Sequence, residues 1–136
     1  IINTLKYVYN RVKYQDDKLT YGMIEKWADA YEVWKNQQDD CDGLNSLIYI
    51  LARLAGISDL VLWNVNGDIK LSSGIITGHY FLLYFSVKTT NWYSIDGTFH
   101  PNFSDIKFRP PFNLNDNKYQ NIWYLFNEQK MLQQRC

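Results

Sequence analysis

The sequence predicts an α+β domain. Apolar residues recur at helical spacing through the first 55 positions. Short runs of β-formers, bounded by turn residues, follow from position 59 onward. No glycine- or proline-rich linker and no internal repeat interrupts the chain, so residues 1–136 read as a single domain. A chain of this length buries roughly 65–70% of the surface it exposes unfolded, enough for a core without disulfides or metal.

Residues 1–14 place Ile1, Leu5, Val8 and Val12 on one side of an amphipathic helix. Residues 14–19 (YQDDKL) are polar and read as a loop. In residues 20–35, Ile24, Trp27, Tyr31 and Trp34 recur at steps of three and four, with Thr20 as N-cap. The polar run NQQDD stops this helix. Residues 41–55 (CDGLNSLIYILARLA) carry the strongest helical pattern, an apolar stripe of Leu44, Leu47, Ile48, Leu51, Leu54 and Ala55. Tyr49 and Ile50 extend it around the circumference, the mark of a helix buried in the middle of a fold. Asp39 or Asp40 caps its start, and Gly56 ends it as a C′ residue.

Beyond Gly56 the period changes. Residues 59–65 (DLVLWNV) read as a strand, Asn66-Gly67 as a hairpin turn and residues 69–71 as a short return strand. Residues 72–78 read as a loop. Residues 79–87 (HYFLLYFSV) read as a strand buried on both faces. Thr89, Thr90 and Asn91 turn the chain, and residues 92–96 (WYSID) run back beside it. Gly97 and Pro101 end the pair. Residues 101–118 hold all three prolines and read mostly as loop. In residues 119–134, YQNIWYLF favours an edge strand and NEQKMLQQR a helix.

Charge and composition exclude several functions. Fourteen basic and 14 acidic residues cancel, leaving no basic field for a nucleic acid. No apolar run approaches the ~20 residues of a membrane span. Residues 1–14 lack a signal peptide's apolar region followed by a small-residue cleavage site. The two cysteines are Cys41 and Cys136. That is too few for a disulfide framework, so the expected setting is the cytoplasm or another reducing compartment, of bacterial or viral origin on the Asn-, Ile- and Lys-rich composition. Two Cys and two His at no metal-ligand spacing predict no metal site, and no cofactor motif is present.

The chemistry concentrates in three residues. Cys41 opens the strongest helix, whose unpaired N–H groups and positive dipole end favour a thiolate. Gly43 leaves room beside the first turn, while Asp40 and Asp42 oppose a negative sulfur. The dipole therefore needs an imidazolium partner. His79, just after Gly78 at the mouth of an apolar strand, is the candidate for moving a proton. Asp96 ends the paired strand, where a hairpin would bring it to His79 as the group that fixes the ring's tautomer. Taken singly, each has an ordinary structural explanation: core thiol, packed imidazole, turn-forming Asp. Their joint position at element boundaries favours a cleft. His100, beside Pro101, is the rival base and reads as a loop residue. The many aromatics, among them Trp63, Trp92, Phe99, Phe108, Phe112 and Trp123, read first as core and sheet packing, with an interaction face as the other use.

The segment DDCDGLNSLIYILARLAGI resembles the core-helix motif of the transglutaminase-like superfamily, GHYFLLYF its His strand and WYSIDGTF its Asp strand. The upstream KYQDDK and WADAYEVWKN are similar to the lead-in of bacterial transglutaminase-like cysteine peptidases. The resemblance spans roughly residues 12–99. It implies a papain-like, transglutaminase-like core in which the Cys helix packs on an antiparallel sheet. It implies Cys41 as nucleophile, His79 as general base and acid, and Asp96 as the residue orienting the imidazole. The oxyanion hole would use the Cys41 N–H and a side-chain donor just upstream, with Gln37, Gln38 and Trp34 as candidates. Asp40 follows an Asp where the family has Gly, which alters access to the thiol, and Gly43 replaces a usual Asp, which removes a charge. The expected function is thiol-dependent acyl transfer through a thioester, as a cysteine peptidase or amidase acting on a peptide or protein. The alternatives are a protein-glutamine transglutaminase with an amine acceptor, and a non-catalytic binding or assembly module that keeps the fold.

Overall fold

The computed structural model describes residues 1–11, 13–14, 38–39, 41–98, 106–113 and 118–133. Helix α1 spans Ile2–Arg11 and α2 spans Cys41–Leu54. Two short strands, β1 (Lys13–Tyr14) and β2 (Gln38–Asp39), pair in parallel, Lys13 opposite Gln38. The main sheet holds β3 (Leu62–Lys70), β4 (Ile76–Ser86), β5 (Asn91–Ile95), β6 (Tyr119–Phe126) and β7 (Met131–Gln133). It is antiparallel throughout, in the order β5-β4-β3-β6-β7. Helices followed by an antiparallel sheet are the α+β arrangement expected from the sequence. No helix among the described residues is long and apolar enough to cross a membrane.

The chain forms two compact units: Ile1–Ile57 with Asp96–Ser104, and Ser58–Ile95 with Asp105–Cys136. In the first, α1 buries Leu5 and Val8 completely and packs with α2. The first helix is shorter than expected, because Lys13 and Tyr14 leave it to pair with β2. The helix expected over residues 20–35 and the cap at Asp40 lie outside the described residues. The buried side of α2 carries Leu44, Asn45, Leu47, Ile48, Tyr49 and Ala52. Leu54, in the expected stripe, is 78% exposed, and Ile50 also faces solvent. The burial is therefore one broad face, and Asn45 belongs to it. Gly56 ends α2 as expected. Its φ of 97° lets the Gly56 N–H reach the Arg53 carbonyl and the Ile57 N–H reach that of Ala52.

In the second unit, β3 and β4 are buried on both faces. Leu62, Asn64, Tyr80, Leu82 and Ile95 line one; Val65, Ile69, His79, Phe81 and Leu83 line the other. This is the double burial read from HYFLLYFSV. A Tyr80 hydroxyl–Asn64 hydrogen bond and an Asn64 Nδ2 bond to the Phe126 carbonyl satisfy polar groups on the first face. On the second, Phe81 meets the rings of Tyr119 at 4.4 Å and Phe112 at 6.0 Å. Phe112 thus packs as expected, while Trp92, Phe108 and Trp123 are exposed.

Several expectations for this unit are corrected, and β6, expected at an edge, lies between β3 and β7 because the chain after it turns back to pair with it. Asn66-Gly67 is not a turn, and residues 69–71 are not a return strand: β3 continues through Asn66-Gly67 to end at Lys70. The glycine serves a close approach, since a Cβ at Gly67 would collide with the Asn121 carbonyl of β6. The β3–β6 register shifts between Asn66 and Gly67, leaving Trp123 as an extra residue on β6, a bulge rather than a hairpin. The turn comes later, where the Leu71 N–H bonds the Ile75 carbonyl, so β4 begins at Ile76, inside the loop expected over 72–78. Residues 127–133 form no helix. Asn127 Oδ1 accepts the N–H groups of Gln129 and Lys130, closing a turn that sends β7 back along β6.

The expected hairpin of β4 and β5 forms, from Leu82 opposite Ile95 to Ser86 opposite Asn91, but Asn91 belongs to β5 rather than to the turn, and the ladder ends at Ile95, so Asp96 is not paired in it and His79 lies beyond its last pair. A short 3₁₀ turn at Ile106–Phe108 interrupts the expected 101–118 loop. The following residues are tied to β5 by the Arg109 Nη2 bond to the Ser94 carbonyl and the Phe112 N–H bond to that of Trp92.

Candidate active site

Cys41 is the first residue of α2, carries a thiol and is half-buried. A first-turn residue lies among N–H groups that have no partner within the helix, so the backbone presents partial positive charge around this sulfur. Gly43 is buried in the same turn. One turn further on stands Asn45. Residues four apart share a helix side, with Cβ atoms about 5–6 Å apart.

Asn45 has no solvent exposure and makes two hydrogen bonds far along the chain. Its Nδ2 donates to Asp96 Oδ1 at 3.2 Å, and its Oδ1 accepts from the Gly97 N–H at 2.8 Å. Asp96 is 4% exposed, and its Oδ1 also accepts from the Thr98 N–H at 3.0 Å. Segment 96–98 therefore lies against the side of α2 that carries Asn45. Gly97 permits the approach, because a Cβ there would stand 2.8 Å from Ile48 Cδ1 and 3.6 Å from Asn45 Oδ1. Two residues named from sequence, Cys41 and Asp96, thus belong to one compact unit, and Asn45 links the helix of the first to the carboxylate of the second.

His79 lies in the sheet, in the middle of β4 rather than at its mouth, and is 6% exposed. Its ring stacks on Phe81, two residues along the same face, with centroids 6.0 Å apart and 16° between planes. Its cross-strand neighbour on β3 is Gly67, so no opposing side chain competes for that position.

Of the oxyanion candidates, Gln38 pairs through its backbone in β2, three positions before α2 begins. Gln37 and Trp34 lie outside the described residues, as does the rival base His100. Among the described residues, no group of three or more His, Cys, Asp or Glu is arranged to hold a metal ion.

Asn45 is the residue that reading the sequence passed over. Its signal was present: a polar side chain four positions after Cys41, set between Leu44 and Leu47 on an otherwise apolar helix face. A buried Asn must find partners, so its position marks a contact of specific geometry.

No protein-family model matches the sequence, and no curated protein is similar to it. Solved structures are. Three are of LapG from Legionella pneumophila: a calcium-bound form (TM-score 0.65, 16% identity), a further form (0.68, 14%) and an EGTA-treated form (0.66, 16%). They match over 96–98% of this chain, which spans 64–67% of theirs. At this identity the likeness concerns the fold: the chain has the transglutaminase-like α+β fold of LapG.

Proposed function

We propose that a protein of this fold, with Cys41, His79 and Asp96 as its reacting and orienting groups, is a thiol-dependent acyl-transfer enzyme, specifically a cysteine peptidase or amidase. The observation that carries the reading is the tie from α2 to Asp96: the helix that begins with the thiol holds a buried carboxylate one turn along the same side. The fold supports it, since the fold shared with LapG is the one that the resemblance of the Cys, His and Asp motifs implies for such an enzyme.

In the proposed reaction, His79 takes the Cys41 proton. The sulfur attacks a peptide carbonyl, and the carbonyl electrons move onto oxygen. The Cys41 N–H and an upstream donor, from Gln37, Gln38 or Trp34, receive that oxyanion. Collapse expels the amine, which leaves with the proton from His79, and a thioester remains. Water then gives a proton to His79 and attacks the thioester. The C–S bond breaks, the acid departs and the thiol is restored. Asp96 keeps the imidazole in the required tautomer throughout. The substrate is a peptide or protein. A nucleophilic thiol must stay reduced, in accord with the reducing compartment expected from composition.

The test is the pH profile of Cys41 alkylation by iodoacetamide. A thiolate paired with an imidazolium reacts at a nearly constant rate from pH 8 to pH 5.5. An ordinary thiol slows about tenfold per pH unit below its pKa. The protein should show the flat profile and His79→Ala the steep one. A steep profile in both would end the proposal.

A further inference from the structure

We infer that Asn45 is a positioning residue, the clamp that sets the carboxylate of Asp96 for its partner. This rests on the proposed triad and names the group that holds one of its members.

The inference follows from atoms. A carboxylate oxygen has two good acceptor directions. Those of Asp96 Oδ1 are taken by Asn45 Nδ2 and by the Thr98 N–H. The rotation of the carboxylate, and with it the direction it offers its partner in the proposed triad, is set by what grips Oδ1. The Thr98 N–H alone is a local contact two residues away and would turn with its own loop. Asn45 adds a partner 51 residues distant, rooted in α2.

The same side chain grips the backbone as well. Its carbonyl oxygen accepts from the Gly97 N–H, so carboxylate and main chain are held by one planar amide. Such an amide supplies a donor and an acceptor in fixed relation. Asp, Leu or Ser cannot supply both at this reach. Full burial adds to the hold, because a buried hydrogen bond has no water to replace it. One helical turn then separates Cys41 from the clamp, so a single rigid element carries the thiol and sets the orienter.

A helper acting through Asp96 makes a specific demand: with Asp96 absent, removing Asn45 should matter no further. The experiment is a double-mutant cycle in the intact protein, read as the iodoacetamide rate at Cys41 at pH 6 relative to pH 8.5. The variants are Asn45→Ala, Asn45→Leu, Asp96→Ala and Asn45→Ala/Asp96→Ala, each measured below its own melting temperature. Asn45→Leu refills the volume and suits a helix, so it keeps the test open if the alanine variant is too unstable. Either Asn45 variant should lower the rate ratio at least fivefold, and the double variant should fall no lower than Asp96→Ala alone. A wild-type ratio in a folded Asn45 variant, or losses that multiply in the double variant, would overturn the clamp while leaving the triad standing. A steep wild-type profile would instead remove the triad, and the clamp with it.

Discussion

At the residue scale, the candidate site depends on close contacts that one methyl group would disturb. Gly97 is the sharpest case, with Ile48 Cδ1 occupying the space a Cβ would need. Overpacking of this kind costs about 1–3 kcal/mol. Gly97→Ala should therefore lower stability in urea by about that amount. Ile48→Val removes the obstructing methyl and should recover part of the loss in the double variant. Additive losses would show that the contact is not the cause. Cys41 and His79 were legible as candidates from residue type and position, because a thiol at a helix start and an imidazole on an apolar strand stand out locally. Asn45 was not, because its meaning lies in bonds to Asp96 and Gly97 across more than fifty residues.

At the element scale, the sheet is built around a glycine that resembles a turn in the sequence. Asn-Gly between β-formers favours a two-residue hairpin locally. Here the neighbouring strand decides: β6 bulges at Trp123 and brings its Asn121 carbonyl to where a Gly67 side chain would be. Only the partner strand, more than fifty residues on, reveals this. Backbone yields less readily than a side-chain tip, so Gly67→Ala should destabilise the protein more than Gly97→Ala, by ~2 kcal/mol or more. Equal or smaller loss in urea titration would contradict the bulge geometry. Gly67 also stands opposite His79, so the same substitution should disturb the imidazole. At α2 the outcome is simpler. Gly56 was legible as a stop because the positive φ of a C′ residue favours glycine. Nothing lies within 4 Å of a Cβ there, so Gly56→Ala should cost about 1 kcal/mol from backbone conformation alone. A cost well above that in thermal melts would point to a contact the geometry does not contain.

At the scale of the whole molecule, the order of elements carried most of the fold. Helical spacing followed by short runs of β-formers between turn residues pointed to the α+β class, and the β4–β5 hairpin followed from a turn of Thr and Asn between apolar runs. The C-terminal residues did not yield to the same reading. Residues 127–133 have helix-forming side chains, yet β7 forms there because Asn127 closes a turn and β6 offers an edge to pair with. Local propensity lost to a tertiary partner. The transglutaminase-like fold shared with LapG agrees with the family resemblance of the motifs, and it leaves the reaction to be tested at Cys41.

The central claim, that Cys41 forms and turns over an acyl intermediate with help from His79, is tested most directly by intact mass spectrometry of the protein mixed with the p-nitrophenyl ester of an acylated amino acid. The expected result is a burst of one equivalent of nitrophenol, an acyl mass on Cys41 that decays to free acid, and loss of both in Cys41→Ala and His79→Ala. Turnover that persists unchanged in His79→Ala, or an adduct on any residue but Cys41, would contradict it.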